Sequence, residues 1–399
     1  MNRPVRTLLF STLYPSSVRP THGIFVETRL RELLKTGCVE TRVVAPVPWF
    51  PSTAARWGNF ARLAHTPARE TRHGIEVWHP RYAVLPKVGM TLAPLLLALG
   101  ARATVRRLID DGFDFDVIDA HYYYPDGVAA TLLGAWFDKP VTITARGTDI
   151  NLIPQFRCPR QWLQWAGARA RASIGVSAAL VERMRALAFD PARLHVMRNG
   201  VDLERFSPHD PAEMRQALGL TASPLLLTVG NLHEHKGQRL VVDALARLRS
   251  QHPGAQLLVV GEGPDLAVLK QQAVALGLAD AVRFVGVVPN AELARWYSAA
   301  DVLILASSRE GWPNVLLEAM ACGTPVVASD VGGVREMVHG SAAGRMVVQR
   351  TAVAFADALA GLLAERTDRA AVRVHAEQFG WERTSQDQLT LFQSLRAAG

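Results

Sequence analysis

The chain has 399 residues, 49% of them apolar, an ordinary fraction for a globular protein and length enough for two or three domains with real cores. Its three cysteines, Cys38, Cys158 and Cys322, are odd in number and far apart, which speaks against a disulfide framework and for a reducing, cytoplasmic setting. The net charge of +8 is uneven, with 26 Lys and Arg against 15 Asp and Glu in residues 1–200 (net +11) and 18 against 21 in residues 201–399 (net −3); no helix-turn-helix, zinc-finger or RNP pattern accompanies the basic half, so the expected anionic partner is a membrane surface or a phosphate-linked acceptor rather than nucleic acid.

The first apolar run is only five residues long, too short for a signal peptide, and Thr7–Thr12 is predicted as a strand. A loop through Pro15, Pro20 and His22 reaches Gly23, and Ile24–Lys35 is amphipathic, with Val26, Leu30, Leu33 and Leu34 inward. Strand, glycine-containing loop and helix form a βα unit with amides free near the helix start. Val43–Ala45 and Gly74–His79 read as short strands. Leu92–Ile109 reads as a helix whose Arg102, Arg106 and Arg107 suit its dipole. The apolar stretch around it is broken by Gly89 and Pro94 and falls short of a bilayer span, so a soluble or peripheral protein is expected.

Val117–Ala120 is predicted as a strand ending at His121, which either faces a ligand or serves the core. Asp114-Phe115-Asp116 just before it has the form of a metal-binding pair. In that place acidic residues are ordinary turn formers, and no other carboxylate cluster supports a metal. Neither metal nor cofactor is expected. Val141–Ala145 is a strand followed by Arg146-Gly147-Thr148-Asp149, where Asp149 either binds an acceptor hydroxyl or caps the next turn. Phe156–Arg171 mixes Phe156, Trp162 and Trp165 with four arginines, which suits a membrane interface or a plain surface helix. Ser173–Ser177 is a further strand.

Asn199-Gly200 is a turn signal, and the proline-punctuated Ser207–Ser223 reads as a linker. Leu225–Val229 is a strand whose loop, from Gly230 and Asn231 to Lys236 and Gly237, leads into the helix Gln238–Arg249. A lysine at a helix start, beside free amides, can neutralise a diphosphate without a metal; it can also be merely exposed. Gln256–Val260 runs into Gly261-Glu262-Gly263-Pro264, which lacks the third glycine of a dinucleotide fingerprint. Val282–Val287 is a strand and Asn290–Ala299 a helix.

The stretch from Asp301 to Met337 organises the rest. Val302–Ala306 and Pro325–Ala328 have the length and β-branched content of buried parallel strands, separated by the loop Ser307–Pro313 and the helix Asn314–Ala321. Such a right-handed βαβ unit binds ligands beyond the carboxyl ends of its strands. Asn314 and Glu318 lie four apart and share one face, while Val315, Leu316, Leu317 and Met320 cover most of the others. If a ligand desolvates Glu318, the carboxylate needs donors, and vicinal sugar hydroxyls would supply two. Glu310, in the loop, would reach a group further out. Cys322 reads as packing, and Trp381–Leu395 as a last amphipathic helix.

Glu310 and Glu318 with seven residues between them, followed by Ala-Met-Ala-Cys-Gly-Thr-Pro-Val-Val-Ala, resemble the signature of the retaining glycosyltransferases of family 4. The wording EGWPNVLLEAMACGTP is similar to the branch of that family that makes teichuronic acid and other bacterial surface polysaccharides. The resemblance implies an α/β protein of two Rossmann-like domains facing a cleft, the GT-B arrangement. An acceptor-binding domain would occupy residues 1–205, a nucleotide-sugar domain 206–380, and a helix in 381–399 would pack back on the first. It implies that Glu310 contacts the donor sugar, Glu318 the ribose and Lys236 the donor phosphates. The arginine that the family carries after the loop glycine is Asn231 here, the usual glycine pair of the first loop is reduced to Gly23, and Arg146 stands where many members have a histidine near the donor sugar. An arginine there would add charge near a departing phosphate. Lys236, Glu310 and Arg146 are therefore the catalytic candidates. Gly23, Asn231, Asn314, Val315, Glu318, Gly332 and Gly333 are the donor-binding ones, and His121 and Asp149 those for the acceptor.

The expected activity is transfer of a sugar from a UDP- or GDP-sugar to a hydroxyl of a polysaccharide or lipid-linked acceptor, at the inner face of the cell membrane. A nucleotide-sugar epimerase and a non-catalytic polysaccharide-assembly subunit are the alternatives.

Overall fold

The structure, a computed structural model, describes residues 3–85, 89–340, 342–365 and 367–397. The chain divides into two compact units, Met1–Arg198 with Glu382–Gly399, and Asn199–Trp381.

Among its described residues the first unit contains ten strands: β1 (Val5–Phe10), β2 (Val39–Val44), β3 (Val47–Pro48), β4 (Arg69–Arg72), β5 (Ile75–Trp78), β6 (Arg81–Tyr82), β7 (Val117–His121), β8 (Val141–Ala145), β9 (Ala172–Gly175) and β10 (Leu194–Val196). Eight of them form one sheet in the order β10-β9-β8-β7-β1-β2-β5-β4. β3 and β6 make a separate parallel pair. Every position of β7 and β8 is buried, because a central parallel strand is covered on both faces. Among the described strands only β4 runs antiparallel, hairpinned to β5 through His73 and Gly74 at φ 49° and 77°, the two positive angles that a tight hairpin turn needs. Its sequence, Arg-Glu-Thr-Arg, carries no apolar alternation, so periodicity does not reveal it. The strand order reverses beside β1, and a ligand site in such a sheet sits at the carboxyl ends around that reversal. The helix Glu382–Ala397 belongs to this unit: Leu389 and Phe392 join Val5, Leu33, Val39 and Val117 in one apolar cluster.

Among its described residues the second unit has six strands, β11 (Leu225–Val229), β12 (Gln256–Val260), β13 (Val282–Gly286), β14 (Val302–Leu305), β15 (Val326–Ser329) and β16 (Gly344–Val347), all parallel in the order β13-β12-β11-β14-β15-β16. The reversal falls between β11 and β14, which places the loops after these two strands at the ligand-binding edge. On one face the helix Gln238–Leu248 buries Val241, Val242, Leu245 and Leu248, and the helix Ala352–Glu365 adds Phe355, Leu359 and Leu362 to the same core. On the other, Asn314–Ala321 packs against Arg369–Glu377. The stretch read as a linker contains the helix Pro211–Leu218, with Pro211 at its first turn and Asp210 accepting from the Glu213 amide at 2.9 Å. Proline fits that position because its missing N–H has no helical partner there. Arg215 ties this helix to the second unit through the Ala299 carbonyl (2.8 Å) and Asp301 (2.7 Å).

Candidate active site

At the reversal in the second unit two loops meet. After β11 the chain makes a short 3-10 turn, Glu234–Lys236, and Gly237 at φ 73° starts the helix Gln238–Leu248. A Cβ on Gly237 would run into the Ala306 carbonyl at the end of β14, so only glycine lets the two loops close on each other. That closeness brings the Lys236 ammonium to within 2.7 Å of Glu310 Oε1, with the lysine side chain 25% and the glutamate side chain 9% exposed. The Glu310 loop is fixed from its other side by Gly332, whose φ is 53° and whose missing Cβ makes room for the Glu310 carbonyl. Gly333 follows and caps the turn Val334–Met337. Asn231 is exposed in the β11 loop, and its carbonyl accepts from Gln238 Nε2 at 3.2 Å.

The helix Asn314–Ala321 starts directly after this loop. Asn314 Oδ1 accepts from Asn199 Nδ2 at 3.3 Å, and Asn314 and Val315 both keep part of their surface open. Glu318 does too, yet its carboxyl is enclosed enough that burial lifts its pKa to about 7, against a hydrogen bond from Tyr297 and the charge of Arg205, both of which lower it. The Tyr297 hydroxyl donates to Glu318 Oε2 at 2.7 Å. Tyr297 sits on the helix Leu293–Ala299, packed against the helix of Glu318. Spacing along the chain cannot pair it with a residue 21 positions away. One carboxylate oxygen therefore has a protein donor, and the arrangement leaves the group able to accept more. The Cys322 thiol is fully buried behind it.

In the first unit the carboxyl ends of β7 and β8 carry a buried polar chain. Asp119 Oδ2 accepts from Gln388 Nε2 at 3.0 Å and lies 3.1 Å from His121 Nε2, while an Arg146 N–H donates to His121 Nδ1 at 2.5 Å. Because arginine can only donate, Nδ1 is the acceptor and the Nε2 proton goes to Asp119. Burial pushes His121 down to about 4, with Asp119 opposing and Arg146 adding to the shift, so the ring is neutral at pH 7. Gln388 also accepts from Arg29 Nε at 2.9 Å, and Arg29 donates to the Met197 carbonyl at 3.0 Å. Arg146 stacks over Phe25 at 5.1 Å, and burial, with Arg29 nearby, lowers it to about 9.

His121 has no exposed surface; of its two readings, service to the core is the one this geometry favours. Asp149 is fully buried as well, its oxygens accepting from the amides of Tyr123 (2.6 Å), Gly147 (2.7 Å) and Arg146 (3.1 Å). That is the capping arrangement. Gly23, at φ 70°, starts the helix Ile24–Leu34, and a Cβ there would run into the Leu13 carbonyl. Nearby, Asp126 is buried, accepts from the Thr12 amide (3.1 Å) and hydroxyl (2.9 Å), and is raised by burial to about 7. No motif singles out Asp126, because its partners lie 114 positions away.

Among the described residues no group of three or more His, Cys, Asp or Glu is placed to hold a metal ion. Asp116 is taken up by Arg3 and the Arg6 amide, and Asp114 by Lys139.

Two family descriptions match the chain: "Glycosyltransferase Family 4" over residues 53–205 and "Glycosyl transferases group 1" over residues 210–379. The chain is 29% identical over 362 residues to the Bacillus subtilis (strain 168) protein assigned to teichuronic acid biosynthesis as glycosyltransferase TuaC, covering 89% of this chain and 88% of that one. It is 33% identical over 312 residues to the D-inositol 3-phosphate glycosyltransferase of Jonesia denitrificans, 71% and 73% of the two chains. In fold it is similar to the sucrose-phosphate synthase of Thermosynechococcus elongatus, with a TM-score of 0.80 at 22% identity over the whole of both chains. It is also similar to Anabaena HepE in complex with UDP, with a TM-score of 0.73 at 19% identity over 98% and 100% of the two chains. The parallel sheets, the glutamate pair and these likenesses agree, and the chain belongs to the GT-B glycosyltransferases of family 4.

Proposed function

We propose that the protein transfers a sugar from a UDP- or GDP-sugar, with retention at the anomeric carbon, to a hydroxyl of a polysaccharide or lipid-linked acceptor in bacterial surface-polysaccharide synthesis. The observation that carries this reading is the 2.7 Å contact of Lys236 with Glu310 at the strand-order reversal, next to the helix that bears Glu318. A nucleoside diphosphate is already a good leaving group, so charge stabilisation and positioning matter more than strong acid catalysis. When the bond from the anomeric carbon to the diphosphate breaks, its electron pair stays with the diphosphate. The Lys236 ammonium then turns from Glu310 to that growing charge, which is why the reading calls for no metal. Glu310, released, accepts from a donor-sugar hydroxyl, and Glu318 accepts from the ribose hydroxyls beside its bond from Tyr297.

Asn231, Asn314, Val315, Gly332 and Gly333 complete this donor site. In the first unit Arg146, held by His121 and Phe25, is a fixed cation at the carboxyl edge of its sheet. Likeness to the teichuronic acid protein supports the surface-polysaccharide assignment, and HepE supports a uridine nucleotide as one of the donors to test.

The test is calorimetric titration with UDP, GDP, ADP and CMP, without added metal. Selective binding of one diphosphate, lost in Glu318→Ala, is the expected outcome. Binding of none, or equal transfer activity for Lys236→Ala and Cys322→Ala, would overturn the assignment.

A further inference from the structure

The first unit exposes an aromatic and aliphatic face that none of this chemistry uses. Trp49 is 57% exposed, Trp57 48% and Phe60 47%, and Val84, Leu85, Met90, Leu92 and Phe156 are exposed as well. Several of the segments that carry them are tied together. The Phe50 ring stacks on Phe60 at 5.3 Å and meets Trp57 edge-on at 5.6 Å. Trp49 donates its amide to the Tyr82 carbonyl at 2.7 Å, next to β3 and β6, so the Trp49–Phe60 segment and the Val84–Leu85 segment leave one short parallel pair side by side. Trp162 Nε1 donates to the Thr91 carbonyl at 3.1 Å and ties in the helix Arg157–Arg169, which Phe156 precedes. Trp162 and Trp165 themselves pack edge-on at 5.4 Å and are half-buried, so they support this face and do not project from it.

Charge singles out the partner. Between residues 41 and 109 the only acidic side chains are Glu70 and Glu76. Glu70 is engaged by His79 at 2.9 Å, and Glu76 by Arg69 and, at 2.7 Å, by Arg42. Residues 150–181 contain no acidic side chain at all. Arg56 and Arg62 are exposed on the Trp49–Phe60 stretch and just after it, Arg157 and Arg160 are exposed just after Phe156, and Arg56 lies over the Trp57 ring at 5.6 Å. Large apolar side chains left exposed on adjoining segments of a monomer mark an interaction site. A second copy would set these arginines against their own like. A neutral glycan would use the rings and leave the charge unanswered. Exposed aromatic rings on segments rich in arginine, whose two carboxylates are both ion-paired, match an anionic lipid surface on both counts. Among the described residues no helix is long and apolar enough to cross a membrane, so this contact is peripheral.

We propose that the face built from Trp49, Trp57, Phe60, Leu85 and Met90, with Arg56 and Arg62, docks the protein on an anionic membrane. It stands independently of the sugar-transfer reading, because no residue of the donor site takes part.

The test is flotation of the full chain with phosphatidylglycerol-containing vesicles and with pure phosphatidylcholine vesicles, at low and high salt. The expected result is binding to the anionic vesicles only, weakened by salt and reduced at least about tenfold by the double change Arg56→Glu, Arg62→Glu. Trp57→Ala with Phe60→Ala should give a similar loss. Both variants should keep the circular dichroism spectrum and any nucleotide binding of the parent, which separates loss of docking from loss of fold or donor site. Equal binding to both vesicle types, or to neither, would overturn the proposal. So would a dimer in solution that the Trp57/Phe60 variant abolishes, or saturable quenching of the tryptophans by a neutral oligosaccharide without vesicle binding.

Discussion

Replacing Glu318 by glutamine separates what this residue does for the ligand from what it costs the fold. The carboxyl is raised from its ordinary 4.5 to about 7, chiefly by burial. A raised folded-state pKa means that the folded protein holds the proton more tightly than the unfolded chain. The group is therefore least harmful to stability at low pH, and its contribution worsens as the pH climbs from about 4.5 to about 7 before levelling off. At pH 8 the full difference of about 2.5 units applies, or about 3 kcal/mol at 1.36 kcal/mol per unit; at pH 5 it is under about 1 kcal/mol. Glutamine keeps the shape and keeps an oxygen for the Tyr297 hydroxyl, but carries no charge to desolvate. Glu318→Gln should thus raise the urea midpoint of the full chain at pH 8 by an amount worth about 3 kcal/mol, with little gain at pH 5. The same change should abolish or sharply weaken nucleoside diphosphate binding, since an amide cannot accept from two hydroxyls and from Tyr297 as a carboxylate can. A variant equally destabilised at both pH values would refute the burial argument. One that is stabilised but still binds nucleotide as the parent does would refute the ligand role.

Two further changes probe the local geometry. Gly237→Ala forces a side chain into φ 73° and against the Ala306 carbonyl, which should cost about 2 kcal/mol or more in thermal or urea unfolding and loosen Lys236 from Glu310. A variant with the parent's stability would mean that the two loops can separate freely. Asp149→Ala removes the acceptor for two buried backbone amides and a third that is half-buried, a loss of about 2–4 kcal/mol. Asp149→Asn, which keeps one oxygen, should lose less. Equal melting temperatures for all three proteins would show that the cap contributes nothing to stability.

Much of the fold was legible along the chain because the signals are local. Val117–Ala120, Val141–Ala145, Leu225–Val229 and Val302–Ala306 are short, apolar and rich in branched residues, as buried parallel strands must be. Glu310 and Glu318 announce themselves by spacing, and Lys236 by its place at a helix start. β4 and β16 were not legible, since Arg-Glu-Thr-Arg and Gly-Arg-Met-Val carry no period and exist as strands only because a neighbour offers its edge. The segment after Ser207 looked like a linker because its prolines read as breaks, whereas Pro211 begins a helix that Arg215 anchors to Asp301.

The sequence by itself determined the class of protein, the alternation of strand and helix, and the residue types at the proposed donor site. Tertiary structure alone decided which charges are buried and which partners hold them. Glu318 meets Tyr297 across two helices, Asp126 meets Thr12 between the segments that follow β7 and β1, and His121 closes into a chain that reaches Gln388 on the last helix. A burial penalty and a hydrogen bond depend on what surrounds an atom in three dimensions, and apart from Asp119, two positions before His121, those neighbours lie 21 to 269 positions away along the chain.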